Sequence, residues 1–138
     1  MSKPQTAAKR PPLHLIESEA DTLSDLAWGA RDRFPNICIM LLDEIGRAKL
    51  CKPSNLPDDV VAMSSRVDYI DEGSGTRRSI TLVYPNHADA VLGRVSILTP
   101  VGAGLIGVKA GHSILWPDRD GRQRQLTVVS VQQNCMAH

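Results

Sequence analysis

The chain has 138 residues, enough for one ordinary domain or a small domain with an appendage, which argues against a deep active site between domains. Its 16 Lys and Arg residues nearly balance its 15 Asp and Glu residues, so it lacks the basic footprint of a protein that holds nucleic acid by itself. Aromatic residues make up only 4% of the chain, too few for an aromatic-walled pocket or a base-stacking platform.

The start of the chain predicts a disordered leader over residues 1–14, because it is rich in proline and basic residues and has no apolar periodicity. No signal-peptide core follows it, and no apolar run approaches the roughly 20 residues needed to span a bilayer, so we expect a cytoplasmic protein. Cys38, Cys51 and Cys135 are odd in number and far apart, which favours reduced thiols over a disulfide framework.

Two segments after the leader have the spacing of amphipathic helices. Between residues 18 and 34 one apolar stripe recurs at steps of three and four: Ala20, Leu23, Ala27, Ala30 and Phe34. Between residue 36 and about residue 51 a second stripe follows: Cys38, Leu41, Ile45 and Ala48. Because only a few residues around Pro35 join the two segments, we expect a short antiparallel helical hairpin over residues 15–52.

A change of pattern follows the hairpin. Prolines and polar residues predict a linker over residues 53–62, with one helical turn ending at Ala62. Short apolar runs between turn-forming residues then predict five strands, over residues 66–71, 78–84, 94–98, 113–116 and 126–131. Glycine-containing turns at residues 71–75 and 117–121 predict antiparallel hairpins. We assign residues 63–133 to this β-domain and residues 134–138 to a tail.

One short helix is predicted between the third and fourth strands, over residues 100–108, with proline in its first turn. Gly102, Gly104 and Gly107 spell G-x-G-x-x-G within it, the pattern of dinucleotide-binding folds. Those folds need a longer crossover helix and a parallel sheet, whereas the strands here are spaced as hairpins. We therefore predict that the small residues let the helix lie close against the sheet, and we predict no cofactor.

No group of residues has the spacing of a catalytic or metal site. The four histidines are far apart, and none stands beside residues that would complete a catalytic triad. The adjacent carboxylates at residues 58–59 and 71–72 fall in linker or turn segments, where solvated acids are expected. We therefore predict no catalytic residue and no metal ligand. Trp28 lies beside the first apolar stripe, where it could flank the hairpin core or meet a partner, and we expect it to pack at the flank.

Several strings resemble one family, in the same order. Residues 96–111 resemble the C-terminal domain of the bacterial Gre transcript-cleavage factors, the GreA/GreB family, and residues 57–67, 81–85 and 99–103 resemble a related subgroup. In that family a strand, a Ser/Thr-Pro and a small-residue helix ending in Leu-x-Gly follow one another, as the segment around Thr99 and Pro100 does here. The resemblance covers about residues 41–131 and is closer still to a subgroup with a shorter hairpin, the regulators of nucleoside diphosphate kinase. At Gly111–His112 the family commonly has Gly-Asp.

The resemblance implies an α+β fold, in which a short N-terminal antiparallel helical hairpin, a short coiled coil, precedes an FKBP-like antiparallel β-domain with one short helix. It also implies that the β-domain binds the rim of the RNA polymerase secondary channel while the hairpin points into or over that channel. The positions that match the family's polymerase-contacting surface are Ile97, Leu98, Thr99, Pro100 and Val101.

In Gre factors, acidic residues at the tip of a long coiled coil help hold a catalytic Mg²⁺, which prefers carboxylate oxygens. The corresponding tip here falls near residues 31–36 and offers Asp32 alone, between Arg31 and Arg33. The resemblance therefore implies a non-catalytic, monomeric regulator that binds polymerase, modulates elongation and competes with Gre factors without stimulating cleavage. Sequence-specific nucleic-acid binding and membrane association are not expected. Two alternatives stay open: cleavage assistance that depends on Asp32, and control of nucleoside diphosphate kinase level or activity.

Overall fold

The structure, a computed structural model, describes residues 13–117 and 123–133, and it begins with a helical hairpin closed at its base by two short strands. The hairpin elements are β1 (His14–Ile16), α1 (Glu17–Gly29), α2 (Pro35–Arg47) and β2 (Lys49–Cys51). Strands β1 and β2 pair in parallel, with Leu15 opposite Leu50. Neither strand was predicted, since a three-residue strand is too short to show a periodic pattern.

The two predicted apolar stripes form the inside of the hairpin, except for Phe34, which lies in the turn between the helices and is 41% exposed. The buried residues of α1 are Ala20, Leu23 and Ala27, and those of α2 include Cys38 and Leu41. Both helices are shorter than predicted, at 13 residues each. Residues 30–34 form the turn between the helices, and residues 49–51 leave the second helical pattern to join β2. Pro35 occupies the first turn of α2, a position where its missing amide hydrogen is not needed.

A five-stranded sheet follows, with strand order β5-β4-β3-β7-β6. Its elements are β3 (Arg66–Asp71), β4 (Thr76–Val83), β5 (Arg94–Ser96), β6 (Ser113–Pro117), β7 (Gln123–Gln132) and the helix α3 (Pro100–Leu105). The predicted antiparallel pairing of β3 with β4 and of β6 with β7 is confirmed. Strand β5 differs, because the chain crosses over through a 3₁₀ turn at Pro85–His87 and returns parallel to β4. The sheet is therefore mixed at this edge.

Helix α3 lies close against the end of β5, as the small residues predict. A Cβ atom at Gly102 would lie 2.4 Å from the carbonyl oxygen of Ser96, a distance that real Cβ atoms do not reach. The helix ends at Leu105, three residues earlier than predicted. Gly107 follows with a φ of +80°, in the left-handed region that favours glycine, and its carbonyl oxygen accepts a hydrogen bond from the amide of His14 at 3.1 Å.

The hairpin and the sheet share one hydrophobic core. That core contains Leu23 and Leu41 from the hairpin, Leu105 from α3, and Val67 and Val128 from the sheet. The α+β fold, with helices followed by a β-domain, is thus confirmed. No helix within residues 13–117 and 123–133 combines the length and the apolar character needed to cross a membrane.

The structure differs from the predicted boundaries at the end of the leader and in the linker. Leu13 is buried and His14 begins β1, so two residues assigned to the leader belong to the folded part. The linker contains a 3₁₀ turn at Pro53–Asn55 and a second turn at residues 57–60, in which the Val60 amide donates to the Pro57 carbonyl oxygen at 3.3 Å. The predicted end of a helical turn at Ala62 is wrong, because the Val61 amide donates to the Val108 carbonyl oxygen instead. Residues 1–12, the turn at 118–122 and the tail at 134–138 lie outside the described residues.

Candidate functional site

The five residues predicted to dock, 97–101, form the connection between β5 and α3, here called the docking segment. Its backbone is fixed by hydrogen bonds to two side chains. The Ser96 hydroxyl oxygen accepts from the Leu98 amide at 2.9 Å. The Thr99 hydroxyl donates to the Ser96 carbonyl oxygen at 2.7 Å and accepts from the Gly102 amide at 3.1 Å. Thr99 is thus the N-cap of α3, and the segment is held in one conformation.

The five side chains of the docking segment are not equally accessible. Pro100 is exposed, while Leu98, Thr99 and Val101 are half-buried. Ile97 is fully buried in the core, and its amide donates to the Val83 carbonyl oxygen at 2.9 Å. The side chain of Ile97 therefore packs in the core beneath the docking segment, and a partner can contact only the other four side chains of the segment directly.

The hairpin tip carries arginines and exposed aromatic rings. Arg31, Asp32 and Arg33 are all exposed, as predicted for a tip. Trp28 does not pack at the flank of the core as predicted; it is 56% exposed, and the guanidinium of Arg31 lies 5.9 Å from its ring centroid. The guanidinium of Arg33 lies 5.5 Å from the ring centroid of Phe34. These distances are typical of cation–π pairs.

A groove of about 450 Å³ brings the tip and the docking segment together. Its lining includes Leu26, Ala30, Arg33 and Phe34 from the hairpin and Pro85 and Leu98 from the β-domain. The tip of the hairpin therefore lies across this groove from the docking segment of the β-domain. The sequence predicted both groups of residues but not that they line one groove, because they are about 65 residues apart in a chain with no pattern that links them.

A half-buried carboxylate, that of Glu19, joins the base of the hairpin to the segment before β3. The Oε1 atom of Glu19 accepts a hydrogen bond from the Met63 amide at 3.2 Å. Burial raises the pKa of the Glu19 carboxyl, although this hydrogen bond acts in the opposite direction. Burial, and then the nearby charge of Glu19, also raise the pKa of the Tyr84 phenol. Tyr84 directly precedes Pro85 of the groove.

Metal-binding residue types do not cluster in the part of the chain that the structure describes. Within residues 13–117 and 123–133, no group of three or more His, Cys, Asp or Glu side chains is arranged to hold a metal ion. Cys38 and Cys51 are free thiols, as predicted, whereas Cys135 lies outside the described residues.

Comparison with known proteins gives a consistent result. The family described as "Transcription elongation factor, GreA/GreB, C-term" matches residues 56–133. The "Regulator of nucleoside diphosphate kinase" of Escherichia coli strain K12 is 38% identical over 89 residues, which are 64% of this chain and 65% of that protein. The match thus spans slightly less than two thirds of that relative's own length.

Two further proteins are similar over most of the chain. A "Transcription elongation factor GreA" from Acidiphilium cryptum is 30% identical over 131 residues, covering 89% of this chain and 83% of that protein. A solved structure of a "Prokaryotic transcription elongation factor GreA/GreB from Nitrosomonas europaea" superposes with a TM-score of 0.65 and 31% identity, over 89% of this chain and 99% of that one. The chain therefore belongs to the GreA/GreB family of transcription elongation factors, whose C-terminal domain it carries at residues 56–133.

Proposed function

We propose that this protein is a cytoplasmic, monomeric transcription regulator that binds RNA polymerase at the rim of the secondary channel and modulates elongation without stimulating transcript cleavage. It acts by occupying the channel entrance, for which it competes with Gre factors. The observation that carries the proposal is the family match over residues 56–133, which includes the whole docking segment.

The docking segment has the chemistry of a small protein-binding surface. Pro100 is exposed beside the half-buried Leu98 and Val101, so the segment offers apolar area to a partner. The hydrogen bonds around Thr99 fix the backbone before any partner arrives. A preformed surface loses less conformational entropy on binding, which favours a specific contact from a small area.

The tip supports the non-cleaving part of the proposal. A catalytic Mg²⁺ needs several oxygen ligands, normally including carboxylates. Asp32 stands between Arg31 and Arg33 in the sequence, and the positive charges of these exposed neighbours oppose the binding of a metal cation there. Each hairpin helix has 13 residues. At 1.5 Å per residue each is about 20 Å long, so the tip lies only a short distance from the base of the hairpin.

Substitution of Pro100 tests polymerase binding. We expect the unmodified chain to be retained on immobilised, purified bacterial RNA polymerase, and Pro100→Asp to weaken this binding about tenfold or more, since it puts a charge at the exposed centre of the docking segment. Leu115→Asp is the matched control, because Leu115 is exposed on β6, at the opposite edge of the sheet. Failure of the unmodified chain to bind would refute the proposal.

A transcription assay tests the absence of cleavage. In stalled elongation complexes, saturating protein is expected to leave the nascent RNA at full length and to reduce the shortening that added GreA causes. Asp32→Ala should behave like the unmodified chain in both assays. RNA shortening that is lost in Asp32→Ala would instead support the alternative in which Asp32 assists cleavage.

The name of the Escherichia coli relative favours a second candidate function, control of nucleoside diphosphate kinase. If the control is direct, purified chain added to purified kinase changes the rate of phosphoryl transfer between nucleotides. An unchanged rate, together with polymerase binding, would assign any effect on the kinase to its expression.

A further inference from the structure

An apolar turn projects from the edge of the sheet just before β5. Its consecutive side chains Ala90, Val91 and Leu92, here called the apolar knob, are all exposed. Val91 is 92% exposed, the highest value for any large apolar side chain among the described residues, and Leu92 is 58% exposed. Side chains of this kind contribute little to the core, whereas their burial by a partner is favourable.

Hydrogen bonds hold the apolar knob in one conformation. The Oδ1 atom of Asp89 accepts from the Val91 amide at 3.0 Å and from the Leu92 amide at 3.4 Å. Asp89 and Arg94 close the turn by exchanging two backbone hydrogen bonds, each 2.9 Å long. Gly93 completes it with a φ of +71°, which side-chain-bearing residues rarely adopt. The two large apolar side chains are therefore presented by a preformed turn.

The apolar knob and the docking segment lie at the two ends of the same edge strand. Strand β5 joins them and has three residues, Arg94–Ser96, a length of about 10 Å. The 3₁₀ turn at Pro85–His87 packs against β5, and Pro85 lines the groove together with Leu98. One continuous surface therefore runs from the hairpin tip through the groove and the docking segment to the knob.

We propose that the apolar knob is a second anchor for RNA polymerase, in which Val91 and Leu92 enter an apolar depression of the enzyme. The inference rests on the proposed function and extends its contact surface. A standard protein interface covers about 800 Å² of each partner, a patch about 30 Å across. A partner seated on Pro100 therefore also covers a knob one short strand away. The contact is apolar, because the side chains that the knob exposes to a partner are those of Val91 and Leu92.

The test measures the affinity of the full-length chain for purified bacterial RNA polymerase. The double variant Val91→Ser with Leu92→Ser removes the apolar area but keeps the turn and its hydrogen bonds. We expect its dissociation constant to rise about tenfold or more, as for loss of a buried apolar anchor. Leu115→Ser, at the opposite edge of the sheet, is the matched control and should change the constant less than about twofold.

Circular dichroism melting and sedimentation of each variant accompany the binding measurement. If the double serine variant melts at a lower temperature than the unmodified chain, the double alanine variant of Val91 and Leu92 replaces it. Normal polymerase binding by these double variants, with loss of binding in Pro100→Asp, would overturn the inference and leave the proposed function standing. No binding by the unmodified chain would overturn both. A dimer that becomes a monomer in the double variant would show that the knob serves a second copy of the chain, and would also overturn the inference.

Discussion

Gly102 is the residue at which α3 comes nearest to the strand before it. An added Cβ atom would lie 2.4 Å from the Ser96 carbonyl oxygen and 3.0 Å from the Cα atom of Ile97, and both of these are backbone atoms. We expect Gly102→Ala to lower the free energy of unfolding by about 1–3 kcal/mol through overpacking, as measured by urea denaturation.

Gly29→Ala is the control for this substitution, because a Cβ atom at the end of α1 would meet nothing within 4 Å. It should leave the stability unchanged or raise it by up to about 1 kcal/mol, since alanine favours a helix over glycine. An unfolding midpoint of Gly102→Ala equal to that of the unmodified chain would contradict the close packing of α3.

Single residues differ in how well their environment could be predicted. The tight position of Gly102 follows from a small residue after Thr-Pro, next to a predicted strand. The burial of Ile97 and the exposure of Trp28 do not follow, because each sits at the end of an element, where the periodic pattern stops. Which way such a side chain points is decided by the element packed beside it, and no local spacing encodes this.

At the scale of elements, Glu19 connects α1 to the segment that leads into β3. Burial raises the pKa of its carboxyl above the ordinary value of 4.5, so the folded chain holds this proton more tightly than the unfolded chain. The contribution of this group to the free energy of unfolding is therefore highest below about pH 4.5, and it falls as the pH rises through the raised pKa.

Glu19→Gln should remove this pH dependence while keeping an oxygen that accepts from the Met63 amide. We expect the variant to gain stability relative to the unmodified chain as the pH rises from about 4 to about 8. Urea denaturation of both proteins at several pH values measures the difference. A difference that stays constant across this range would show that the Glu19 carboxyl is not destabilised by burial.

The elements with a strong local pattern were predicted well. Strand β3 has the predicted bounds, Arg66–Asp71, because alternating side chains and a glycine-rich turn define it. The parallel pairing of β5 could not be predicted in the same way, since it depends on a crossover through residues 84–93 and not on the strand itself. The same limit applies to β1 and β2, which owe their pairing to the helices between them.

At the scale of the whole molecule, the shared core predicts one cooperative unfolding transition. Leu41 is fully buried in α2, and Leu41→Ala should lower the free energy of unfolding by about 2–5 kcal/mol. We expect amide hydrogen exchange to accelerate in β3 and β7 as well as in α1 and α2. Acceleration confined to the hairpin would indicate two independent units joined by a linker at residues 53–62.

Val129→Ala is the control for Leu41→Ala, because Val129 is partly exposed on β7 and the loss of two methyl groups there should change the stability by less than about 0.5 kcal/mol.

The sequence predicted a hairpin and a β-domain, but it did not predict that both would line one groove. The shared groove depends on the orientation of the hairpin. The β1–β2 pair and the hydrogen bond from the His14 amide to the Gly107 carbonyl oxygen fix this orientation, and both form only in the assembled core.

The parallel pair of β1 and β2 has a consequence for how the length of the hairpin can vary. Because the pair fastens both ends of the hairpin beside Gly107, the turn at residues 30–34 is the end that remains open to insertion. Adding one helical turn to each helix at this point would lengthen the hairpin by about 5.4 Å and leave the β1–β2 pair at its base unchanged. The length of the hairpin and its attachment to the β-domain are therefore set by different parts of the structure, so an insertion at the turn changes the first and leaves the second as it is.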